Sequence, residues 1–366
     1  MNFSTIDTCQ DFLSFQKNWE WLYKKLPNNK LFNSFMWNYS WYRSAYRRCQ
    51  LFLVVAYEKK VENPLAIFPA MIDKKGCLRF IADTHSDYST FLIDDSISNS
   101  KLYDVMKTFK KAIDSKPQIK EIELKNIAQK DRYIAIFENL FDYKQITYKS
   151  NASSYIVLEP KKSLFDSFDY LNSKQRSELK RIYKKNAHLK RNMLCRSSEK
   201  FPLGDIKSII EEMINTGIRN EEFMNSGLLK IIESLYNENL IQIFCLKDNN
   251  EKVIAMNFIV HDSANANFLF WIDIYRNVPF INLSSYLYAI EWFSTHMESS
   301  FSVDFGRGLY DYKIKNFLPN IENQFTFYYS KGSYEYIRYL LKLSLLLSVK
   351  NFYKRNKKVI NRILKR

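Results

Sequence analysis

Two stretches of the chain share one pattern of apolar and polar positions. Residues 51–57, 65–72 and 77–81 are short apolar runs separated by polar turns at 58–63 and 73–76. Residues 240–246, 253–260 and 268–275 repeat the arrangement, with turns at 248–250 and 262–265. Runs of this length bounded by Asp, Asn and Lys predict two antiparallel three-stranded meanders. Each meander is followed by a segment of helical spacing and another short run. The first half offers a strand at 90–93, a helix over 101–113 and a strand over 119–124. The second offers a helix over 284–297 and a strand over 302–305, stopped by Gly306 and Gly308.

The connecting segments fit the same plan. Residues 1–48 read as two helices broken at Pro27-Asn28-Asn29. A further short helix precedes a strand over 143–148, and a strand over 155–158 leads to a short helix over 164–171. Ile206, Ile209, Ile210, Met213 and Ile214 form an apolar stripe that Gly217 ends. The order of helices, meander, helix and strand, met twice, predicts an α/β architecture with mixed sheets flanked by helices on both faces. The expected division is 1–150, 151–332 and a helical tail over 333–366. The halves do not visibly align, so the repeat is one of pattern.

Composition narrows the class. A chain of 366 residues is long for one core, and 46% hydrophobic with 16% aromatic residues excludes general disorder. Phe32, Phe35, Trp37, Trp41 and Tyr46 read as a packing face. A formal charge of +16 points to an anionic partner or to a merely Lys-rich composition. The five scattered cysteines lack metal or redox spacing, which suggests a reducing cytoplasm. No secretory signal is evident at the N-terminus, and the longest apolar run, 339–349, is interrupted by Lys342 and short for a bilayer. The expectation is a cytoplasmic protein, peripheral at most.

Few residues suggest covalent or metal chemistry. The four histidines form no ligand pair, and neither Gly-x-Ser-x-Gly nor a phosphate-binding Gly loop occurs. Asp304-Phe305-Gly306 matches a kinase triplet without the accompanying loops. Four polar places remain. Asp87 and Tyr88 sit in a loop, where Asp87 alternatively caps a turn. The basic helix 173–186, capped by Asn172 or Ser173 with Gln175, buries Leu179, Ile182, Tyr183 and Asn186. Arg176 and Lys190 fall on that inward face, and Lys180 on the solvated one. Arg307, Tyr312 and Lys313 follow a strand end, where Arg307 alternatively pairs with an Asp and Tyr312 packs. The strand-to-helix junction at 276–285 offers backbone N–H groups to an anionic or carbonyl ligand.

Three segments carry a family resemblance. VDFGRGLYDYKIKNF resembles the closing motif of the acetyltransferase-like family related to cellulose-biosynthesis CelD proteins, a GNAT-type fold. There a D-F-x-x-G turn precedes a Tyr-Lys pair, here Tyr312 and Lys313. HSDYSTFLID resembles the family's S-D-Y segment, and SKQRSELKRIYKKN its basic helix. The segments keep the family's order over about 35–315. The resemblance implies two tandem GNAT-like domains and acyl transfer by positioning, with acyl-CoA as donor at Asn282, Ser284 and Ser285. It implies substrate contacts from Asp87, Tyr88, Arg176, Lys180, Arg307, Tyr312 and Lys313. The implied acceptor is a cell-envelope or extracellular polysaccharide precursor, a saccharide or lipid-linked saccharide. No metal is expected.

One departure keeps alternatives open. The junction RNVPFINLS lacks the glycines with which acetyl-CoA users wrap the pyrophosphate. The family's similarity to Fem-type aminoacyltransferases makes aminoacyl-tRNA an alternative donor. A non-catalytic anion-binding protein on the same fold is a third reading. In the tail, Tyr339, Leu340, Leu341, Leu343 and Leu345–Leu347 form an apolar band followed by many Lys and Arg. Such a helix either docks its leucines on the second domain or lies on an anionic membrane surface.

Overall fold

The computed structural model describes residues 1–363 except 27–30, 46–48, 59–62, 129–135, 137–138, 162, 197–198 and 263–266. Side chains are not described at 45, 226, 261, 262 and from 349 onward. The expected break at Pro27-Asn28-Asn29, Tyr46, most of the turns at 58–63 and 262–265, and the basic side chains of the tail therefore lie outside the described residues.

In chain order, β1 (Asn2–Ile6), α1 (Cys9–Ser14), α2 (Gln16–Lys25) and α3 (Phe35–Ala45) precede the first meander. That meander is β2 (Gln50–Tyr57), β3 (Ala66–Ile72) and β4 (Cys77–Phe80), with β5 (Leu92–Ile93) added to β3. α4 (Asn99–Asp114) crosses to β6 (Glu121–Ala128), and β7 (Lys144–Leu158) follows. α5 (Ser173–Lys185), β8 (Lys190–Leu194), α6 (Leu203–Asn215) and α7 (Ser226–Asn237) come next. The second meander is β9 (Ile241–Lys247), β10 (Val253–Asp262) and β11 (Asn267–Tyr275). α8 (Ile281–His296) crosses to β12 (Phe301–Arg307), and α9 (Asp311–Phe317), β13 (Asn320–Ser330) and α10 (Ser333–Ile363) close the chain.

Local chemistry explains these elements. Ser98 caps α4 by accepting from the Lys101 amide, and Leu102, Val105, Met106, Phe109 and Ile113 bury one face at helical spacing. α5 begins with a capping box in which Asn172 and Gln175 satisfy each other's backbone. The expected helix over 164–171 is instead a run of tight turns. Its amides bond three residues back, as Asp166 to Ser163 and Leu171 to Phe168, and Ser167 Oγ donates to the Glu159 carbonyl.

Among the described residues the strands form one sheet in the order β1-β2-β3-β4-β6-β13-β7-β12-β11-β10-β9-β8. The meanders are antiparallel, while β4–β6 and β11–β12 are parallel. The sheet is mixed and helices cover both faces. The two halves exchange strands. β13, late in the chain, inserts between β6 and β7, and β7 in turn pairs with β12. The boundary expected at residue 150 thus falls inside β7, which merges the strands expected over 143–148 and 155–158.

Three cores fill the layers. One, under α1–α3, α6 and α7, is shared by both halves and holds Phe32, Phe35, Trp37 and Trp41. A second lies beneath α4, and a third beneath α5 and α8. The expected aromatic packing face is therefore core, with the Trp37 and Trp271 rings edge-on at 5.0 Å across the halves.

Candidate active site

β11 and β12 pair only from Asn267–Ser302 to Leu269–Asp304 and then part. β12 bends here: Gly306 takes a φ of +68°, and the register against β7 shifts between Asp304 and Arg307 before pairing resumes at Arg307–Ser153. A cleft of about 510 Å³ opens beside this bend. Strands β11 and β12, helices α8 and α9, and the loop after α6 supply its walls.

The S-D-Y loop of the first half reaches this bend. Arg307 Nε donates to Asp87 Oδ1 at 2.7 Å, and Arg307 also donates to the Thr84 carbonyl at 2.9 Å. Burial raises the Asp87 carboxyl pKa, and the Arg307 guanidinium works against that rise. A Cβ on Gly306 would lie 2.5 Å from Asp87 Oδ2, so the close approach requires glycine. Gln324 on β13 donates to the Asp87 carbonyl at 2.7 Å, tying the exchanged strand to the loop. Tyr88 points elsewhere. Its hydroxyl donates to Asp304 Oδ2 at 2.6 Å, while Asp304 Oδ1 accepts from the Gly306 amide at 2.8 Å. Tyr88 therefore braces the bend and does not line the cleft.

The cleft's centre is polar inside an aromatic wall. Asp273 projects from β11 with 19% of its side chain exposed, and burial raises its pKa against the pull of Arg219 and Lys313. Arg219, after Gly217, lies 4.0 Å from Asp273 and over the Phe223 ring. Lys313 is buried, donates to the Phe305 carbonyl and sits 5.2 Å from the centre of the Tyr310 ring. Burial lowers the Lys313 pKa, and Asp273, Asp87 and Asp304 oppose that shift. The Tyr312 and Tyr286 rings meet at the same wall, their centres 6.2 Å apart. Asn257, opposite Asp273 on β10, is fully buried with no protein partner for its side-chain amide. Buried polar groups of this kind are costly, which marks the position as one with a use beyond packing.

The structure thus brings together Asp87, Arg307, Tyr312, Lys313 and Asn282. It does not bring the basic helix to them. Arg176, half-buried, donates to the Asp169 carbonyl at 3.4 Å, and Lys180 is exposed beside Phe165. Lys190, expected inward, leaves the helix for β8 and pairs on the surface with Glu251. The helix ends at Lys185, so the inward face does not extend to Lys190.

At the start of α8 the amides are largely used. Ile281 N donates to Val278 O, Leu283 N to Asn282 Oδ1 and Ser284 N to Phe280 O. Ser284 Oγ accepts from Asn186 and donates to the Ile182 carbonyl, and Ser285 Oγ donates to the Asn282 carbonyl. Ser284 and Ser285 therefore face the protein, although both had been expected to hold a donor. Arg276 is buried between the Val253 carbonyl and Glu212. Asp273 and Arg219 were not singled out from sequence. A lone carboxylate in the apolar run 268–275, and an arginine just past a helix-ending glycine, were the signals available.

No family model matches the sequence, and no curated protein does. Solved structures match well. L-PGS from Bacillus licheniformis aligns over 89% of this chain and 95% of its own, with a TM-score of 0.57 and 13% identity. FemX aligns over 89% and 97% at 0.58 and 12%. A tandem GNAT protein from the clavulanic acid biosynthesis pathway aligns over 89% and 98% at 0.53 and 8%. The chain has a tandem GNAT-type fold. At these identities the likeness concerns the fold, and the chemistry must come from the cleft.

Proposed function

We propose that this protein is an acyltransferase working in the β11–β12 cleft. The observation that carries the reading is a partly buried carboxylate and a buried ammonium, Asp273 and Lys313, lining one open strand gap. The acceptor's amine or hydroxyl attacks the acyl carbonyl carbon. That bond forms as the acyl–sulfur or acyl–oxygen bond to the donor breaks. Asp273, with its raised pKa, takes the acceptor's proton, and the leaving group is protonated in turn. Lys313, whose pKa burial lowers against the pull of Asp273, Asp87 and Asp304, donates together with Arg219 to the developing oxyanion. The aromatic wall orients the donor and excludes water.

Acyl-CoA is the donor that the motif resemblance implies, and a cell-envelope saccharide precursor the acceptor. One observation favours aminoacyl-tRNA instead. The Leu283 and Ser284 amides, which would seat a pyrophosphate, already have partners within the protein. The net charge of +16 suits a tRNA equally well. Thermal shift with acetyl-CoA, charged tRNA and uncharged tRNA separates these donors. Stabilisation by acetyl-CoA supports the first, and stabilisation by charged but not uncharged tRNA the second. Failure of both donors, and of other acyl-CoAs, would overturn the enzymatic reading and leave the anion-binding one.

A further inference from the structure

We propose that α10 lies on an anionic membrane surface and holds the protein there. This does not depend on the acyltransferase reading. α10 has 31 residues, so at 1.5 Å per residue it is roughly 46 Å long. Its first turns are fixed to the sheet by one face. The Tyr339 ring stacks on Tyr328 at 3.6 Å, its hydroxyl donates to Glu123 at 3.0 Å, and Arg338 pairs with Glu121. Of the leucines at 340–347 only Leu343 is half-buried and the others are exposed, so the band as a whole is not docked on the second domain, as one expectation had it.

The opposite face is apolar and open. Tyr334, Ile337, Leu341 and Leu345 recur at helical spacing with exposures of 73%, 54%, 67% and 66%. Leu340, Leu346 and Leu347, on other sides of the helix, are exposed as well. From Ser344 to Ser348 no residue is buried, although the helix continues to Ile363. Exposed leucines this dense require a partner.

Charge selects the partner. After Glu335 the chain carries ten Lys and Arg and no Asp or Glu. Lys74, Lys75 and Lys342 add cations in a cleft at the root of the helix. Two copies of so basic a helix repel each other, whereas an anionic lipid surface attracts it and buries the leucines. Among the described residues no helix is long and apolar enough to cross a membrane, so α10 lies along the surface.

Flotation of the full chain with phosphatidylcholine vesicles, with and without phosphatidylglycerol, tests this. Binding should need phosphatidylglycerol, weaken with salt, and fall about tenfold or more in Leu341→Glu/Leu345→Glu. Both leucines are exposed, so the variant's melting temperature should match wild type; Lys354→Glu/Arg355→Glu gives an independent charge test. Equal binding by wild type and both variants, or no binding to either vesicle, would overturn the proposal. So would a wild-type dimer, seen by sedimentation, that the leucine variant dissolves.

Discussion

Each half of the sheet opens a gap between two parallel strands, and the gaps have opposite fates. β4 and β6 pair only at Cys77–Glu121 and Leu78–Ile122 before parting. The chain after β4 then folds back into that gap. Asn126 on β6 donates to the Asp83 and Ser86 carbonyls, and its own carbonyl accepts from the Ser89 amide at 3.0 Å. In the second half, residues 276–280 turn directly into α8 and leave the gap beside β11 open. The loop that fills the first gap delivers Asp87 to Arg307 at the second. Of two similarly built gaps, one serves as a brace and one can hold a ligand.

The largest expected contrast is between the two gaps' polar residues. Asp273→Asn should cut acyl transfer by roughly 10²–10⁴-fold with the melting temperature preserved, measured in single-turnover assays. Asn126→Ala should do the reverse, costing about 1–3 kcal/mol in denaturant unfolding while the folded fraction stays active. Next comes the link between the gaps. Arg307→Ala leaves Asp87 buried and unpaired, and chemical denaturation should show a loss of about 3 kcal/mol. Gly306→Ala strains a residue at φ +68° and displaces Asp87, with an expected loss of roughly 1–3 kcal/mol and weaker donor binding.

The smallest effect is a pH slope at the brace. His85 stacks on Trp41 at 4.3 Å, and burial, aided by Arg307, lowers its pKa from 6.5 to about 4. The unfolded chain binds this proton first as pH falls. The contribution is therefore intact above pH 6.5 and is lost between pH 6.5 and about 4. In His85→Gln this part of the acid slope should disappear from stability measured across that range.

Much of this arrangement was legible in the sequence. Both meanders and crossover helices follow from periodicity, and Arg307, Tyr312, Lys313 and Asp87 stand out as polar residues in or beside Gly-flanked or loop segments. The strand exchange was not legible. β13 meets β6 across about two hundred residues, and no local pattern marks which of several apolar strands a run will join. Tyr88 and Ser284 misled for a related reason. A polar side chain in a ligand-rich loop satisfies itself internally as readily as it binds a ligand, here on Asp304 and on the Ile182 carbonyl. Asp273 was hidden because strand alternation does not say which buried position opens on a cavity.

The most direct test of the account maps where the donor's acyl group sits. An acyl-CoA and an aminoacyl-tRNA, each carrying a diazirine on the acyl chain, are irradiated with the protein and the labelled peptides are sequenced. The expected labels fall on the walls of the β11–β12 cleft, at Tyr286, Tyr312 or the loop bearing Arg219 and Phe223. Labels confined to β4 or β6 of the first half would contradict the account.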